Sequence, residues 1–270
     1  MVTLATVAGC GNEAPADHRT KVVAAFFPLA DAARRLGGST VDVVDLTPPG
    51  TEPHDLELTP RRLDRIEDAD VVLLLGGGFQ PSLESAAKRS RGTTVTVLDA
   101  LGLDGHDPHA WLDPTIYARI VEIVGRALHA PSGRIAAYRA ELALLDRRFD
   151  AALHTCRSRV LVASHDAYGY LAARYRLQQR SLTGRVPEGE PDPGTLADLA
   201  DLARRERVTT VFTEPLLPRR AASTLAREAH ARVATLDPLE SDPGTSYVAA
   251  MDADRRTLAA GLGCTQPPRR

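Results

Sequence analysis

Two α/β lobes with mainly parallel sheets, joined by one long bridging helix, are what this 270-residue sequence predicts. Three observations point there. Short apolar, β-rich runs alternate with helical runs through residues 21–131, the pattern of strand-helix-strand units that feed a parallel sheet. The alternation starts afresh in residues 158–264. Between them, Ser132 to Cys156 reads as a single helix, with Ile135, Tyr138, Leu142, Leu145, Phe149 and Leu153 spaced three and four apart along one stripe. About 25 helical residues span about 37 Å, enough to run the length of a lobe and beyond. The expected division is 1–20 as leader remnant and tether, 21–131 as the first lobe, 132–157 as the bridging helix, 158–264 as the second lobe and 265–270 as a tail.

Each element follows from local chemistry. Val22 to Phe26 reads as a buried strand, and Pro28 starts a helix that stops at Gly37-Gly38. Val41 to Leu46 is the next strand, followed by a proline-broken extended loop from Thr47 to Leu56. Pro60 to Asp68 is a short amphipathic helix, Val71 to Leu75 a wholly apolar strand, Gln80 to Arg89 a helix and Thr94 to Leu98 a fourth strand. Gly76 to Gly78 reads as a tight turn, because no Lys-Ser/Thr follows to make it a phosphate loop. Asp107 to Pro114 is a stiff connector between two prolines, and Asp113 before Pro114 is a helix start that runs to Leu128.

In the second lobe the strands are Val160 to Ala163, Leu177 to Leu182, Val208 to Thr213 and Val233 to Leu236. Helices are expected at Ala167 to Tyr175, Gly194 to Arg205, Arg219 to His230 and Thr245 to Leu262.

Composition narrows the function classes. A formal net charge of −2, with no run of like charges, gives no reason to expect nucleic acid as a partner. No window of about 18 apolar residues is present, which excludes a transmembrane helix. The N-terminus is apolar and small from Met1 to Cys10, then turns polar at Gly11-Asn12. Val7-Ala8-Gly9-Cys10 resembles the lipobox of bacterial lipoproteins, in which the leader is removed and the cysteine carries lipid. A basic leader segment is missing and the apolar part is short, so the true start is expected upstream. The alternative is a frayed terminus with a chance cysteine. Cys156 and Cys264 are buried thiols in a reducing compartment, or a disulfide partner pair in an exported protein.

Four polar residues follow strand ends: His54, His109, His165 and Asp237. Two belong to each half, and a cleft at the carboxyl ends of two facing sheets would bring them together. Three imidazoles and a carboxylate suit tetrahedral Zn²⁺, and Mn²⁺ or Fe²⁺ less well. Spacing alone leaves unrelated loop histidines as an equal reading, since the chain has eight histidines.

The surrounding motifs decide. Gly50-Thr-Glu-Pro-His54-Asp-Leu-Glu-Leu-Thr-Pro60, Asp107-Pro-His109-Ala-Trp-Leu-Asp-Pro114, Ser164-His165-Asp-Ala-Tyr-Gly-Tyr170 and Leu236-Asp237-Pro-Leu239 resemble, in order, the ligand motifs of the metal-binding components of bacterial ABC-type zinc and manganese importers, the cluster A-I solute-binding proteins. Phe26-Phe-Pro-Leu29 and Phe212-Thr-Glu-Pro215 extend the likeness.

The resemblance implies a monomeric, extracytoplasmic lipoprotein, periplasmic in a Gram-negative cell. It would hold one divalent ion between its lobes for an ABC-type permease, and be a binding protein with no catalytic residue. It makes His54, His109, His165 and Asp237 the ligands, with Glu52 or a water competing for the fourth position. Glu214 follows a strand end facing the same cleft, where it either orients an imidazole or serves the surface or the packing of the lobes. Imidazole at position 165, where manganese-type relatives carry Glu, favours zinc. A manganese or iron homologue and a surface adhesin of the same fold remain as alternatives. A zinc metallohydrolase ranks lower, since four protein ligands close the shell and no His-Glu-x-x-His helix is present. The long His-rich loop of many zinc relatives is reduced here to His106 with Asp104 and Asp107.

Overall fold

The computed structural model describes residues 19–104, 106–185 and 191–265. The first lobe holds strands β1 (Thr20–Ala24), β2 (Val41–Asp45), β3 (Val71–Leu74) and β4 (Thr93–Thr96), in the order β2-β1-β3-β4. Every pairing is parallel. Helices α1 (Phe27–Gly37), α2 (Pro60–Glu67) and α3 (Pro81–Ala87) make the crossovers. All three carry proline in the first turn, where its missing N–H costs nothing. A short α4 (Val97–Leu101) and then α5 (Pro114–Ala127) follow β4. Asp113 caps α5 by accepting the Thr115 and Ile116 N–H groups.

Helix α6 (Ser132–Leu153) crosses to the second lobe, packed on α5 and on the last helix. Its buried stripe is Tyr138, Leu142, Leu145, Phe149 and Leu153. The second lobe repeats the plan with β5 (Val160–Ala163), α7 (Gly169–Arg174), β6 (Gln178–Ser181), α8 (Pro193–Arg205), β7 (Thr210–Thr213), α9 (Arg220–Glu228), β8 (Arg232–Thr235) and α10 (Tyr247–Gly261). Its order is β6-β5-β7-β8, again all parallel. Among the described residues no helix is long and apolar enough to cross a membrane.

Strand alternation divides the core. Leu161 and Ala163 of β5 join a large cluster that runs through α10, α6 and α5 into the first sheet. Val160 and Val162 face the other way, onto Leu199 and Ala203 of α8 and Leu225 of α9. The lobes thus share one apolar body, and the second sheet has a private core behind it.

Two boundaries differ from the sequence reading for local reasons. Val97 and Leu98 leave the sheet and start α4, because Gly102 at φ 70° closes a helical turn onto the Asp99 and Leu98 carbonyls. Helix α6 ends at Leu153 rather than Cys156, because the chain after it pairs with the C-terminal segment. Ser158 N–H donates to Leu262 O at 3.1 Å, and Cys156 is disulfide-bonded to Cys264 with Cα atoms 3.7 Å apart. Cys10 lies outside the described residues.

Candidate metal centre

Three histidines and one glutamate meet between the lobes. His54 sits in a single 3₁₀ turn (Pro53–Asp55) in the loop after β2, where Pro53 stiffens the entry. His109 precedes a second such turn (Ala110–Leu112) and is fully buried. His165 follows β5 and is also fully buried. Glu240 lies in the loop after β8 and is 2% exposed. Phe79 packs edge-on against His54, with ring centroids 4.4 Å apart, and Trp111 lies 5.2 Å from His109. An aromatic wall therefore fixes the rings and keeps water from them.

The imidazoles converge through one nitrogen each. His109 Nε2 lies 3.2 Å from Glu240 Oε1, and the Nε2 atoms of His54 and His165 lie 3.6 Å from the same oxygen. His109 and His165 bring their Nε2 atoms within 3.4 Å of one another. Their other nitrogens are held by carboxylates: His109 Nδ1 pairs with Asp107 Oδ1 at 2.8 Å, and His165 Nδ1 with Glu214 Oε2 at 2.5 Å. Such pairing keeps a proton on Nδ1 and turns Nε2 toward the centre, where it can bind metal once its own proton is lost. Asp107 and Glu214 also accept the backbone N–H of the histidine they orient.

Charge in this buried cluster is mutually sustained. Burial alone would raise the Glu240 carboxyl, but the hydrogen bond from His109 and the closeness of the His165 and His54 imidazoles hold it well below the usual range. Burial alone would lower His165, but Glu214 and Glu240 push it up to about 10. His109 is raised in the same way, against its burial, by Asp107 and Glu240.

Glu240 was not singled out from the sequence. The residue expected in its place, Asp237, lies in the wall of the same cleft with its Oδ1 accepting the Leu239 N–H at 2.8 Å. Burial pushes its carboxyl up to about 6. Glu52 lines the cleft too, with Oε1 buried and without a hydrogen-bond partner among the described residues. Burial and the nearby Glu240 raise it to about 8. The cleft, about 330 Å³, is lined by five carboxylates, Glu52, Glu214, Asp237, Glu240 and Asp242, with Pro215 and Pro243 beside them.

Comparisons with known proteins agree with this picture. A family model described as the periplasmic component A of zinc-uptake complexes, ZnuA, matches residues 22–261. The zinc-binding lipoprotein AdcA of Streptococcus pneumoniae is 26% identical over 92% of this chain, which spans 57% of that relative. The high-affinity zinc uptake system protein ZnuA of Bacillus subtilis is 28% identical over 95% of this chain and 93% of its own length. Among solved structures, the Zn(II)-bound ZnuA-like domain of S. pneumoniae AdcA superposes with a TM-score of 0.75 at 25% identity, covering 90% of this chain and 99% of that one.

Proposed function

The chain belongs to the family of the periplasmic component A of zinc-uptake complexes, and from that premise we propose that it captures one Zn²⁺ ion and delivers it to an ABC-type permease. His54, His109, His165 and Glu240 are the ligands in this reading. The observation that carries it is the spacing of the donor atoms. Nitrogen and oxygen ligands about 2.0–2.1 Å from a tetrahedral zinc lie about 3.3–3.4 Å apart along the edges of the tetrahedron. The His109–His165 edge is 3.4 Å and the His109–Glu240 edge 3.2 Å, while the His54–Glu240 and His165–Glu240 edges, at 3.6 Å, are slightly longer than a loaded site needs. Three nitrogens and one oxygen favour zinc over manganese, which prefers more oxygen.

The pairing of Asp107 with His109 and of Glu214 with His165 supports the same reading, because each keeps a ring nitrogen ready for metal. Four protein donors fill a tetrahedral shell and leave no place for a reacting water, so the site is one of capture rather than turnover. The Cys156–Cys264 disulfide supports a location outside the reducing cytoplasm. A lipid on Cys10 would hold a monomer there beside its permease. The acidic cleft supplies the approach, since carboxylates around a narrow opening concentrate cations.

Competition titrations with Zn²⁺, Mn²⁺ and Fe²⁺ test the proposal. The expected result is one equivalent of zinc bound most tightly, with affinity falling more than about 100-fold in His165→Ala, a larger loss than that of an orienting partner. Tight zinc binding that survives in both His109→Ala and His165→Ala would overturn it.

A further inference from the structure

The turn that carries Glu240 is strained and tied down on every side. Leu239 has φ 57°, a left-handed conformation that is strained for a residue with a Cβ. It persists because its neighbours hold it. Asp237 Oδ1 accepts the Leu239 N–H at 2.8 Å, closing a small ring that swings the next residue, Glu240, inward. Asp237 is anchored in turn, its own N–H donating to Asp254 Oδ1 at 3.1 Å.

Each histidine loop then sends one hydrogen bond to this turn. From the His109 loop, the Trp111 indole N–H donates to Pro238 O at 2.7 Å. From the His165 loop, the Tyr168 hydroxyl donates to Leu236 O at 3.1 Å. From the His54 loop, the Gly50 N–H donates to Ser241 Oγ at 2.8 Å. Trp111, Tyr168 and Leu239 are buried, so none of their polar groups can turn to water instead.

We infer that residues 236–241 are a strapped mount for Glu240, in which Asp237 builds the turn and Trp111 and Tyr168 are positioning residues that lock the glutamate to the histidines of both lobes. This rests on the zinc site proposed above, with Glu240 as a ligand. The mount gives the motif residue Asp237 a use of its own: its Oδ1 aims the neighbouring Glu240.

Asp237→Asn and Asp237→Ala separate turn building from ligation. Asparagine keeps the side-chain oxygen that accepts the Leu239 N–H and loses only the charge, whereas alanine loses both. The expected result is zinc affinity at least about tenfold tighter in Asp237→Asn than in Asp237→Ala, on the scale of lost supporting contacts at metal sites. Equal losses in the two variants would overturn the role given to Asp237.

Trp111→Phe and Tyr168→Phe each remove one strap and keep the ring. Each is expected to weaken zinc about 10-fold or more through faster release, yet to add less than about twofold when Glu240→Gln is already present, since positioning acts only through that carboxylate. Losses that simply multiply with Glu240→Gln would overturn the positioning role. Circular dichroism of the metal-free proteins confirms folding, and if Trp111→Phe fails to fold, Tyr168→Phe carries the test alone. A Glu240→Gln protein that binds zinc like the parent would instead sink the ligand set itself.

Discussion

Raising the pH from 7 to 9 should tighten zinc binding while it destabilises the metal-free protein. The group responsible is His165, whose imidazole is buried but held between Glu214 and Glu240 and so raised to about 10. An unfolded imidazole titrates near 6.5, so the protonated ring favours the fold by an amount on the order of 5 kcal/mol. Because the folded value is the higher one, that stability is fully present below about pH 6.5 and is lost as the pH rises through about 10. Zinc needs the Nε2 lone pair that the proton occupies, so its affinity moves the opposite way. It should climb about tenfold per pH unit while the ring remains protonated in the metal-free protein, or about 100-fold between pH 7 and 9.

Chelator-buffered titrations across this range measure the slope. Calorimetry in two buffers of different protonation enthalpy counts the protons released, expected to be at least about one per zinc near pH 7.5. An affinity that stays flat from pH 7 to 9 with no proton release would refute the reasoning, because it would mean that no imidazole of the site is protonated before metal arrives.

Two further outcomes follow from the cleft and the disulfide. The carboxylates that line the cleft, apart from Glu52 whose carboxyl is raised to about 8, should speed zinc entry, so the association rate measured by stopped flow should fall as ionic strength rises, and a rate indifferent to salt would exclude steering. The Cys156–Cys264 bond closes a loop with a sequence separation of 108, so reduction or Cys264→Ser should cost about 2–4 kcal/mol of stability, read from denaturant curves. Coincident curves with and without reductant would show that the α6–α10 packing holds this end of the protein unaided.

Much of the architecture was legible because it rests on strong local signals. The apolar run Val71 to Leu74 is buried throughout, as the sequence of a doubly covered parallel strand requires. Prolines at helix starts and the spacing of Tyr138, Leu142, Leu145, Phe149 and Leu153 gave the helices. Strand ends located the loops of His54 and His165, since open sheets gather ligands at their carboxyl edges, whereas α4 stands between β4 and the loop of His109.

Glu240 was not legible, and the reason is physical. Asp237 stands nearer the strand end and next to a proline, which makes it the more conspicuous carboxylate. Glu240 reaches the imidazoles after a left-handed leucine, and neither periodicity nor propensity predicts positive φ at a residue other than glycine or asparagine. The role of Asp107 was hidden for a related reason: an aspartate two residues before a histidine reads first as a turn former, and only the fold shows its Oδ1 on both the His109 N–H and Nδ1.

Zinc-edge anomalous scattering from crystals of the zinc-loaded protein tests the central claim most directly. The account predicts a single peak about 2.0–2.2 Å from Nε2 of His54, His109 and His165 and from a carboxylate oxygen of Glu240. A peak bonded to Asp237 with Glu240 turned away, or one remote from the three histidines, would contradict it.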